Sequence, residues 1–500
     1  MLSQVRSLTF SGVNIVDVTV QAHMSSGHPT FQVVGLPDKI IAESRERVRA
    51  ALSSIALELP QKRIIVNLSP ADLMKEGSHF DLPIACCLLM ASKILPIEEL
   101  QNYLILGELG LDSNILPVSG VLPAAIGANA RNLGLICPEK NGHEAAWSGN
   151  ELVLAPKNLL ALINHFKGTQ MLARPVVKAP VESFAHPDFK DVIGQETAKR
   201  AMEVAASGNH NLLMIGTPGS GKSMLASRIP SILPTMEPEE ILETSMIYSI
   251  AGEISDGELK QHRPFRAPHQ TSSMIAMIGG GHSKRIMPGE ISLANNGVLF
   301  LDEFPEFPRG ILESLRQPME TKKVLIARAN SHVHYPAKFQ LIAAMNHCKC
   351  GYMKDASKAC SKVPKCGIEY QQRISGPIMD RIDIFIEVNE LSKYDTSSIA
   401  SNETSKDIAK RVLQARDIQR KRYDGYGVNA NSDLEGEMLY EFASPDKDGQ
   451  ELLTLFADKN KISMRSYSRI LKVARTIADL EASTKIAKPH IAEALSYRSY

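Results

Sequence analysis

The sequence predicts a multidomain α/β protein. Its 500 residues are enough for two to four domains, each with a core of its own. The short apolar run 212–215 is suited to a buried strand, and a glycine-rich turn and a helical pattern follow it. Helix-period patterns at 404–423 and 464–482 indicate a smaller helical domain near the C-terminal end.

Patterns along the chain predict its division into parts. Residues 13–20 alternate as strands do, and 37–52 carry an apolar stripe at helical spacing. A stretch with Pro175, Pro180 and Pro187 has few periodic apolar positions, which indicates a linker. The predicted parts are an N-terminal unit, the linker, a large α/β unit and a C-terminal helical domain, at 1–165, 166–188, 189–395 and 396–500.

The glycine-rich turn after the buried strand has the spacing of a phosphate-binding loop. Its glycines let the backbone fold with N–H groups pointing inward around phosphates. Lys222 can reach the β- and γ-phosphates, and the Ser223 hydroxyl can bind Mg²⁺. The predicted nucleotide-binding residues are Gly216, Thr217, Pro218, Gly219, Ser220, Gly221, Lys222 and Ser223.

Two further apolar runs end in polar residues that suit hydrolysis. The run 298–301 leads into Asp302, expected to hold Mg²⁺, and Glu303, expected to polarise the attacking water. A later run ends at Asn346, which we expect to orient that water beside Glu303. About 80 residues separate Lys222 from Asp302, and we predict inserted loops there rather than a core element. Together these motifs predict binding and hydrolysis of ATP.

Bulk composition narrows the class of protein. Lys and Arg number 56 against 55 Asp and Glu, so any nucleic-acid binding must come from local patches rather than from a global basic field. No apolar stretch has the length of a membrane span, and no membrane partner is expected. Seven cysteines, four of them clustered, favour a reduced cytoplasmic chain over a disulfide framework.

The clustered cysteines, Cys348, Cys350, Cys360 and Cys366, closely follow Asn346. Four thiolates suit tetrahedral Zn²⁺, and a long loop without its own core would gain stability from the metal. Such a zinc would be structural, because four protein ligands leave no open position. The Cys-x-Cys spacing differs from the usual Cys-x-x-Cys, and free reduced thiols are the alternative.

Around these motifs the chain resembles the magnesium-chelatase-like branch of the AAA+ ATPases, and in particular the YifB/ComM family. The matching runs are long and uneven, and they include 288–294, 296–307, 373–383 and 464–480. The resemblance covers nearly the whole chain. It implies a parallel-sheet ATPase core, a C-terminal helical lid and a homo-oligomeric ring, usually a hexamer, with ATP at the subunit interfaces.

The resemblance also assigns roles to arginines. Arg381 would be the arginine finger that reaches the γ-phosphate bound by a neighbouring subunit, a residue associated with rate factors of about 10³–10⁵. Arg465 would be sensor 2, contacting nucleotide from the lid, with Arg469 as the next candidate. The alternative for either arginine is a surface salt bridge. The predicted catalytic set is Asp302, Glu303, Asn346, Arg381 and Arg465.

The N-terminal unit is similar to the peptidase domain of Lon proteases, an S5-type α/β fold with a Ser–Lys dyad. The serine position of that family falls on His79, and the lysine position falls on Leu122. Ser78 lies one position away, but a serine needs an adjacent base to become nucleophilic, and no residue replaces the lysine. We therefore expect no protease activity, and instead a platform for binding or assembly.

Three kinds of client are compatible with such a motor. The family resemblance implies a DNA helicase that promotes branch migration in recombination during natural transformation, with single-stranded or branched DNA as partner. A predicted hairpin over 324–335, with Lys322, Lys323 and Arg328 nearby, could line a pore, and 405–423 carry seven basic against two acidic residues. The alternatives are a magnesium-chelatase motor subunit, which normally lacks such an N-terminal unit, and a protein-remodelling ATPase, which the missing dyad disfavours.

Overall fold

A computed structural model of the chain describes most of its residues. The predicted linker, the predicted boundary after residue 395 and the tip of the predicted hairpin overlap stretches outside the described ranges. No helix in the described part of the chain combines the length and apolar character that crossing a lipid bilayer requires. The described ranges are 2–178, 186–281, 286–328, 331–353, 359–390 and 403–498. For Arg328 and Ser331 the structure describes the backbone alone.

A mixed seven-stranded sheet with helices on both faces forms the N-terminal unit. Its elements are β1 (Leu2–Ser11), β2 (Asn14–Ser25), β3 (Thr30–Val34), α1 (Lys39–Ser54), β4 (Arg63–Ser69), α2 (Asp81–Ala91), α3 (Ile97–Leu100), β5 (Tyr103–Ile105), β6 (Glu108–Leu109), β7 (Ile115–Leu116), α4 (Val121–Asn129), β8 (Gly134–Ile136), α5 (Gly142–Ala146), β9 (Val153–Leu154) and α6 (Leu159–Phe166). The strand order is β3-β4-β2-β1-β5-β8-β9. The predicted strand and helix are β2 and α1, and α1 begins where the Asp38 carboxylate accepts from the Ile41 N–H at 2.7 Å.

A five-stranded parallel sheet forms the central unit. Its elements are α7 (Glu196–Gly208), β10 (Leu212–Gly216), α8 (Lys222–Ala226), α9 (Pro238–Ala251), β11 (Phe265–Arg266), α10 (Met274–Ile278), β12 (Gly279–Gly280), β13 (Met287–Pro288), α11 (Glu290–Leu293), β14 (Val298–Leu301), α12 (Arg309–Ser314), α13 (Arg316–Thr321), β15 (Lys323–Arg328), β16 (Ser331–Pro336), β17 (Gln340–Met345), α14 (Lys365–Gln371), α15 (Gly376–Met379) and β18 (Ile384–Val388). The sheet order is β11-β14-β17-β10-β18.

Alternate strand residues of this sheet enter two different cores. Leu212 and Met214 of β10 join the core that contains α7, whereas Leu213 and Ile215 join the core that contains α12 and the β15–β16 hairpin. Both sets are fully buried. Burial on both faces explains why the parallel strands appear in the sequence as continuous apolar runs rather than alternating ones.

The segment between Lys222 and Asp302 holds more regular structure than the predicted inserted loops. Helix α9 spans 14 residues, and strand β11 pairs in parallel with β14 at the edge of the core sheet. The prediction of loops alone is therefore wrong. Strand β11 has only two residues, too few for a periodic pattern. Helix α9 buries the polar residues Thr244, Ser245 and Ser249, so it has no simple apolar stripe.

In the described residues after β18, five helices share one apolar core with α7 and one face of the central sheet. The basic residues predicted in 405–423 lie on the first of them, and four arginines there bond within the protein. Arg411 pairs with Glu203, Arg416 donates to the Ala206 carbonyl, Arg420 pairs with Glu237, and Arg422 pairs with Asp479. This segment is therefore largely a structural junction and not a free basic patch. The helices are α16 (Ser405–Arg422), α17 (Gly436–Phe442), α18 (Lys447–Asn460), α19 (Met464–Leu480) and α20 (Lys488–Ser496).

Several contacts join the N-terminal unit to the central unit. The Gly120 N–H donates to the Ser249 carbonyl of α9 at 2.9 Å, and the Leu122 N–H donates to the Ser249 hydroxyl at 3.3 Å. The turn between β1 and β2 lies on the hairpin, because a Cβ at Gly12 would come within 2.4 Å of the His334 carbonyl oxygen. Leu122, which stands at the catalytic lysine position of the Lon family, thus lies in a contact between the two units.

Candidate nucleotide site

The phosphate-binding loop closes around Lys222 at the carboxyl end of β10. The Lys222 ammonium donates to the carbonyls of Gly216 at 3.1 Å and Thr217 at 2.7 Å. Gly219 and Gly221 have φ of +81° and +93°, backbone angles that glycine adopts without strain. Gly216 is required for a different reason, since a Cβ there would lie 2.2 Å from the Val388 carbonyl oxygen.

The predicted metal-binding and water-activating residues lie at the same edge of the sheet. The Ser223 hydroxyl donates to the Asp302 carboxylate at 2.6 Å. The Lys222 ammonium donates to the Asn346 amide oxygen at 3.2 Å. Asn346 follows β17, which pairs with β10, and Asp302 follows β14, which pairs with the other side of β17. The structure therefore brings together four predicted residues from three strands.

Glu303 occupies an unusual backbone conformation next to Asp302. Its φ of +50° is uncommon for a residue with a side chain, and such conformations cluster at functional sites. The Glu303 N–H donates to the Asp302 carboxylate at 2.9 Å, which fixes the turn after β14. The Glu303 side chain is exposed to solvent, as a group that must approach substrate water requires.

The electrostatics and donor set of this edge suit magnesium nucleotide. Burial lowers the pKa of Lys222, and the nearby charge of Asp302 opposes that effect. Ser223 and Asp302 offer oxygen atoms, which are the ligands Mg²⁺ prefers, and Mg²⁺ usually keeps several waters besides one or two protein ligands. Ser223 and Asp302 therefore fit Mg²⁺, which would neutralise phosphate charge there.

The four clustered cysteines come together in the loop that follows Asn346. The sulfurs of Cys348, Cys350 and Cys366 lie within 4.8 Å of one another, and the Cys360 sulfur lies 3.4 Å from that of Cys366. All four are free thiols. Tetrahedral zinc with Zn–S bonds of about 2.3 Å places its sulfurs about 3.8 Å apart, so the donor set fits such an ion. The Tyr352 N–H and the Cys348 side chain lower the pKa of Cys350 to about 6.

The cysteine loop packs against the phosphate-binding loop. A Cβ at Gly351 would lie 2.4 Å from Cγ of Pro218, and the φ of Gly351 is +86°. Gly351 therefore lets the backbone approach Pro218 closely. This contact, together with the chain connection through Asn346, ties the thiol cluster to two parts of the nucleotide site. No sequence pattern indicates this contact, because the two loops are distant along the chain.

Arg381 lies at the opposite, amino edge of the central sheet. It precedes β18, and its guanidinium donates to the Pro377 carbonyl and to the Glu320 carboxylate of α13. Only 6% of Arg381 is exposed. A strand of five residues is about 16 Å long, so this edge is well separated from the phosphate-binding loop of the same chain. Glu320 was not predicted, since it is 61 residues from Arg381 and only the fold brings the two together.

Arg465 and Arg469 of α19 lie at the same amino edge but differ in environment. Arg469 pairs with the buried Asp383 carboxylate. Burial alone would raise the pKa of Asp383, but the charge of Arg469 and a hydrogen bond from His210 lower it below its ordinary value. Arg465 is exposed. Both arginines and Arg381 line a cleft of about 1590 Å³ whose described lining includes no residue of the phosphate-binding loop.

The predicted hairpin is present as strands β15 and β16, which pair antiparallel. One face packs into the core, and the side chains of Ala327, His332 and His334 on the other are exposed. Lys322 pairs with Asp433 at 3.5 Å, and Lys323 is exposed. The Arg328 side chain lies outside the described atoms. The buried residues are Val324, Ile326, Val333 and Tyr335.

The residues at the protease-like positions are engaged elsewhere. A ring nitrogen of His79 lies 2.9 Å from the Leu8 carbonyl oxygen, and the Ser78 hydroxyl donates to the Glu108 carboxylate. Leu122 is buried at the start of α4. Lys75 is buried too, and its ammonium donates to the carbonyls of Gly35 and Pro70.

Comparison with known proteins extends over almost the whole chain. Family models described as magnesium chelatase subunit ChlI, subunit ChlI of Mg-chelatase and the C-terminal part of ChlI match residues 188–396, 20–141 and 402–498. The competence protein ComM of Haemophilus influenzae is 42% identical over 505 residues, covering 100% of this chain and 97% of the relative. The chain belongs to the YifB/ComM family of magnesium-chelatase-like AAA+ proteins.

Two other relatives differ in how much of the chain they match. The uncharacterized protein YifB of Escherichia coli is 40% identical over 503 residues, covering 100% of this chain and 97% of the relative. A maternal DNA replication licensing factor, mcm6 of Xenopus tropicalis, is 20% identical over 308 residues, covering 59% of this chain and 33% of the relative. Family membership identifies an ATPase that uses ATP and Mg²⁺, and AAA+ proteins generally assemble into oligomers.

Proposed function

We propose that this chain is the subunit of an ATP-driven ring motor, most simply a hexamer, that acts on single-stranded or branched DNA and promotes branch migration in recombination. The main support for an ATPase site is the convergence of four predicted residues. Ser223 donates to Asp302 at 2.6 Å, and Lys222 donates to Asn346 at 3.2 Å. The competence protein among the relatives supports the link to natural transformation.

The separation of the two sheet edges supports a ring. Arg381 and Arg465 line a cleft at the amino edge, and the phosphate-binding loop lies at the carboxyl edge. Neither arginine can reach nucleotide on its own chain without a large rearrangement. In a head-to-tail ring the cleft of one subunit would face the nucleotide of the next. We therefore assign Arg381 as the finger and Arg465 as sensor 2, both acting on a neighbouring subunit.

The proposed mechanism uses the chain's own groups in a fixed order. Lys222 and the backbone N–H groups of the loop bind the phosphates, and Ser223 with Asp302 would hold Mg²⁺, which neutralises phosphate charge. Asn346 and Glu303 orient the attacking water, and Glu303 accepts its proton. Arg381 of the neighbour stabilises the charge that develops on the γ-phosphate. Phosphate release then loosens the interface.

The hairpin is the element that we propose contacts DNA. It begins at the exposed Lys323, exposes His332 and His334 on one face, and packs its other face on the core that supports the site. Helix α16 is a weaker candidate, because four of its arginines bond within the protein. The partial similarity to a replication licensing factor is compatible with a DNA client.

The remaining assignments complete the proposal. The N-terminal unit, 1–165, is a Lon-like domain that serves as a platform without protease activity. The linker is 166–188, the AAA+ core is 189–395, and 396–500 form the helical lid. The four cysteines hold one structural zinc, and the protein works in the cytoplasm. Free thiols at all seven cysteines are compatible with that compartment.

ATP turnover with different DNAs tests the proposal. We expect turnover to rise most with a four-way junction, less with single-stranded DNA, and least with duplex or no DNA, with Lys222→Ala as the blank. The effect should weaken steeply with salt, since phosphate contacts release counterions. Turnover indifferent to every DNA would move the assignment to a chelatase-type or protein-remodelling motor.

The chelatase alternative keeps some support from the comparisons. An N-terminal unit of this kind is normally absent from the chelatase subunit, which disfavours that alternative. However, the model that matches 20–141 is itself described as a chelatase subunit. The turnover assay with DNA therefore decides between the two, and the N-terminal unit does not.

A further inference from the structure

Arg381 is held inside its own subunit by two bonds. Both terminal nitrogens of its guanidinium are engaged, one by the Pro377 carbonyl and one by the Glu320 carboxylate. The Arg381 Nε is buried and has no hydrogen-bond partner among the described residues. The side chain lines the amino-edge cleft and also a second cavity of about 450 Å³ beside the hairpin. Arg381 therefore borders two cavities.

Glu320 connects Arg381 to the hairpin. It lies in the last turn of α13, whose end is marked by Lys322 with a φ of +56°, and β15 starts at the next residue, Lys323. The Glu320 side chain is 55% exposed, so its pairing with Arg381 is partly open to solvent. A displacement of the hairpin base would move the Glu320 carboxylate with it.

From this geometry we infer that Glu320 is a positioning residue, which restrains Arg381 within its own subunit until movement of the hairpin releases it toward the neighbour's nucleotide. An ion pair with a partly exposed carboxylate stabilises the guanidinium only weakly. The γ-phosphate offers several anionic oxygens for bidentate bonds and can therefore compete with Glu320 for Arg381. Hydrolysis would thereby be coupled to load on the hairpin. The inference rests on the proposed role of Arg381 as the finger.

The test compares Glu320→Gln with a matched control, Glu313→Gln. Glu313 lines the same second cavity but pairs with Arg316 at 3.0 Å instead of Arg381. Without DNA, Glu320→Gln should raise kcat about threefold to tenfold, because the charge that restrains Arg381 is removed. KM and the dissociation constant of a fluorescent ATP analogue should not change, and Glu313→Gln should resemble the wild type.

Further variants distinguish the restraint by Glu320 from the proposed role of Arg381 as the finger. Glu320→Gln combined with Arg381→Ala should be as inactive as Arg381→Ala alone, and both variants should keep the wild-type oligomeric mass. If Arg381→Ala is inactive while Glu320→Gln equals Glu313→Gln or loses turnover, the restraint is disproved and the finger stands. If Arg381→Ala hydrolyses ATP normally, the finger assignment itself fails.

Discussion

The two edges of the central sheet differ in how complete they are within one chain. At the carboxyl edge, Lys222 bonds to Asn346 and Ser223 bonds to Asp302, so the groups proposed to bind phosphate and metal are already assembled. The amino edge carries arginines around a large cleft and no phosphate-binding loop in its described lining. One chain therefore carries the predicted nucleotide-binding groups at one edge and the predicted finger and sensor arginines at the other, so in the proposed ring the catalytic unit would be the interface between chains.

Two inactive variants should restore each other if the edges act across an interface. Lys222→Ala removes binding at the carboxyl edge, and Arg381→Ala should lower turnover by about 10³- to 10⁵-fold at the amino edge. In an equimolar mixture about a quarter of interfaces pair an intact loop with an intact finger, so about a quarter of wild-type turnover should return. The measurement is steady-state phosphate release from the mixed proteins.

A mixture of Lys222→Ala with the double variant Lys222→Ala/Arg381→Ala is the control, because no intact loop remains in it. If the equimolar mixture of the two single variants stays inactive while both proteins co-assemble, Arg381 acts on its own chain. That result would remove the distinction between the two edges.

Glu303→Gln tests whether the carboxyl edge also performs the proton transfer. We expect turnover to fall about 10²- to 10⁴-fold, since a glutamine cannot accept the water's proton. ATP should remain bound, because Lys222 and Ser223 are unchanged. The matched control is Glu306→Gln, an acid on the same turn that pairs with Arg373 at 2.6 Å. Normal turnover of Glu303→Gln in a rapid-quench assay would exclude Glu303 as the base.

The sequence predicts the carboxyl edge much better than the amino edge, for a physical reason. Asp302 and Asn346 directly follow apolar runs, and Lys222 lies in the glycine-rich loop after a third, so each residue is close to its strand in the chain. At the amino edge the decisive partners are remote: Glu320 meets Arg381 across 61 residues, and Asp383 meets Arg469 across 86. Tertiary packing alone creates these pairs.

In helix α16 the sequence pattern predicts a basic patch that tertiary packing largely removes. Its seven basic residues predict a phosphate-binding patch, because composition does not reveal which side chains are paired in the fold. Arg416 bonds to a backbone carbonyl and Arg422 to the buried Asp479. The two-residue strand β11 was missed because it is too short to show a period.

Arg465 and Arg469 should separate function from stability within the amino edge. Arg465→Ala should lower turnover about 10- to 100-fold, the value of one charged hydrogen bond to substrate, with unchanged thermal unfolding. Arg469→Ala leaves the Asp383 carboxylate buried without its cation, and should lower the free energy of unfolding by about 3 kcal/mol. Denaturant titration and turnover, measured on both variants, test this. Equal behaviour of the two would contradict the assignment of Arg465.

The smallest expected effect concerns the thiol cluster, which supports only the carboxyl edge. Cys366→Ser should abolish about one equivalent of bound zinc per chain, measured by elemental analysis. It should weaken ATP binding about two- to fivefold, because Gly351 would no longer be held firmly against Pro218. Lys349→Ser, an exposed change on the same loop, should keep both zinc and affinity. When both proteins also carry Cys366→Ser, mixing Lys222→Ala with Arg381→Ala should still restore turnover at saturating ATP. The reason is that the described partners of the Arg381 side chain are Pro377 and Glu320, not cysteines. Loss of that restoration would mean that the thiol cluster also shapes the interface.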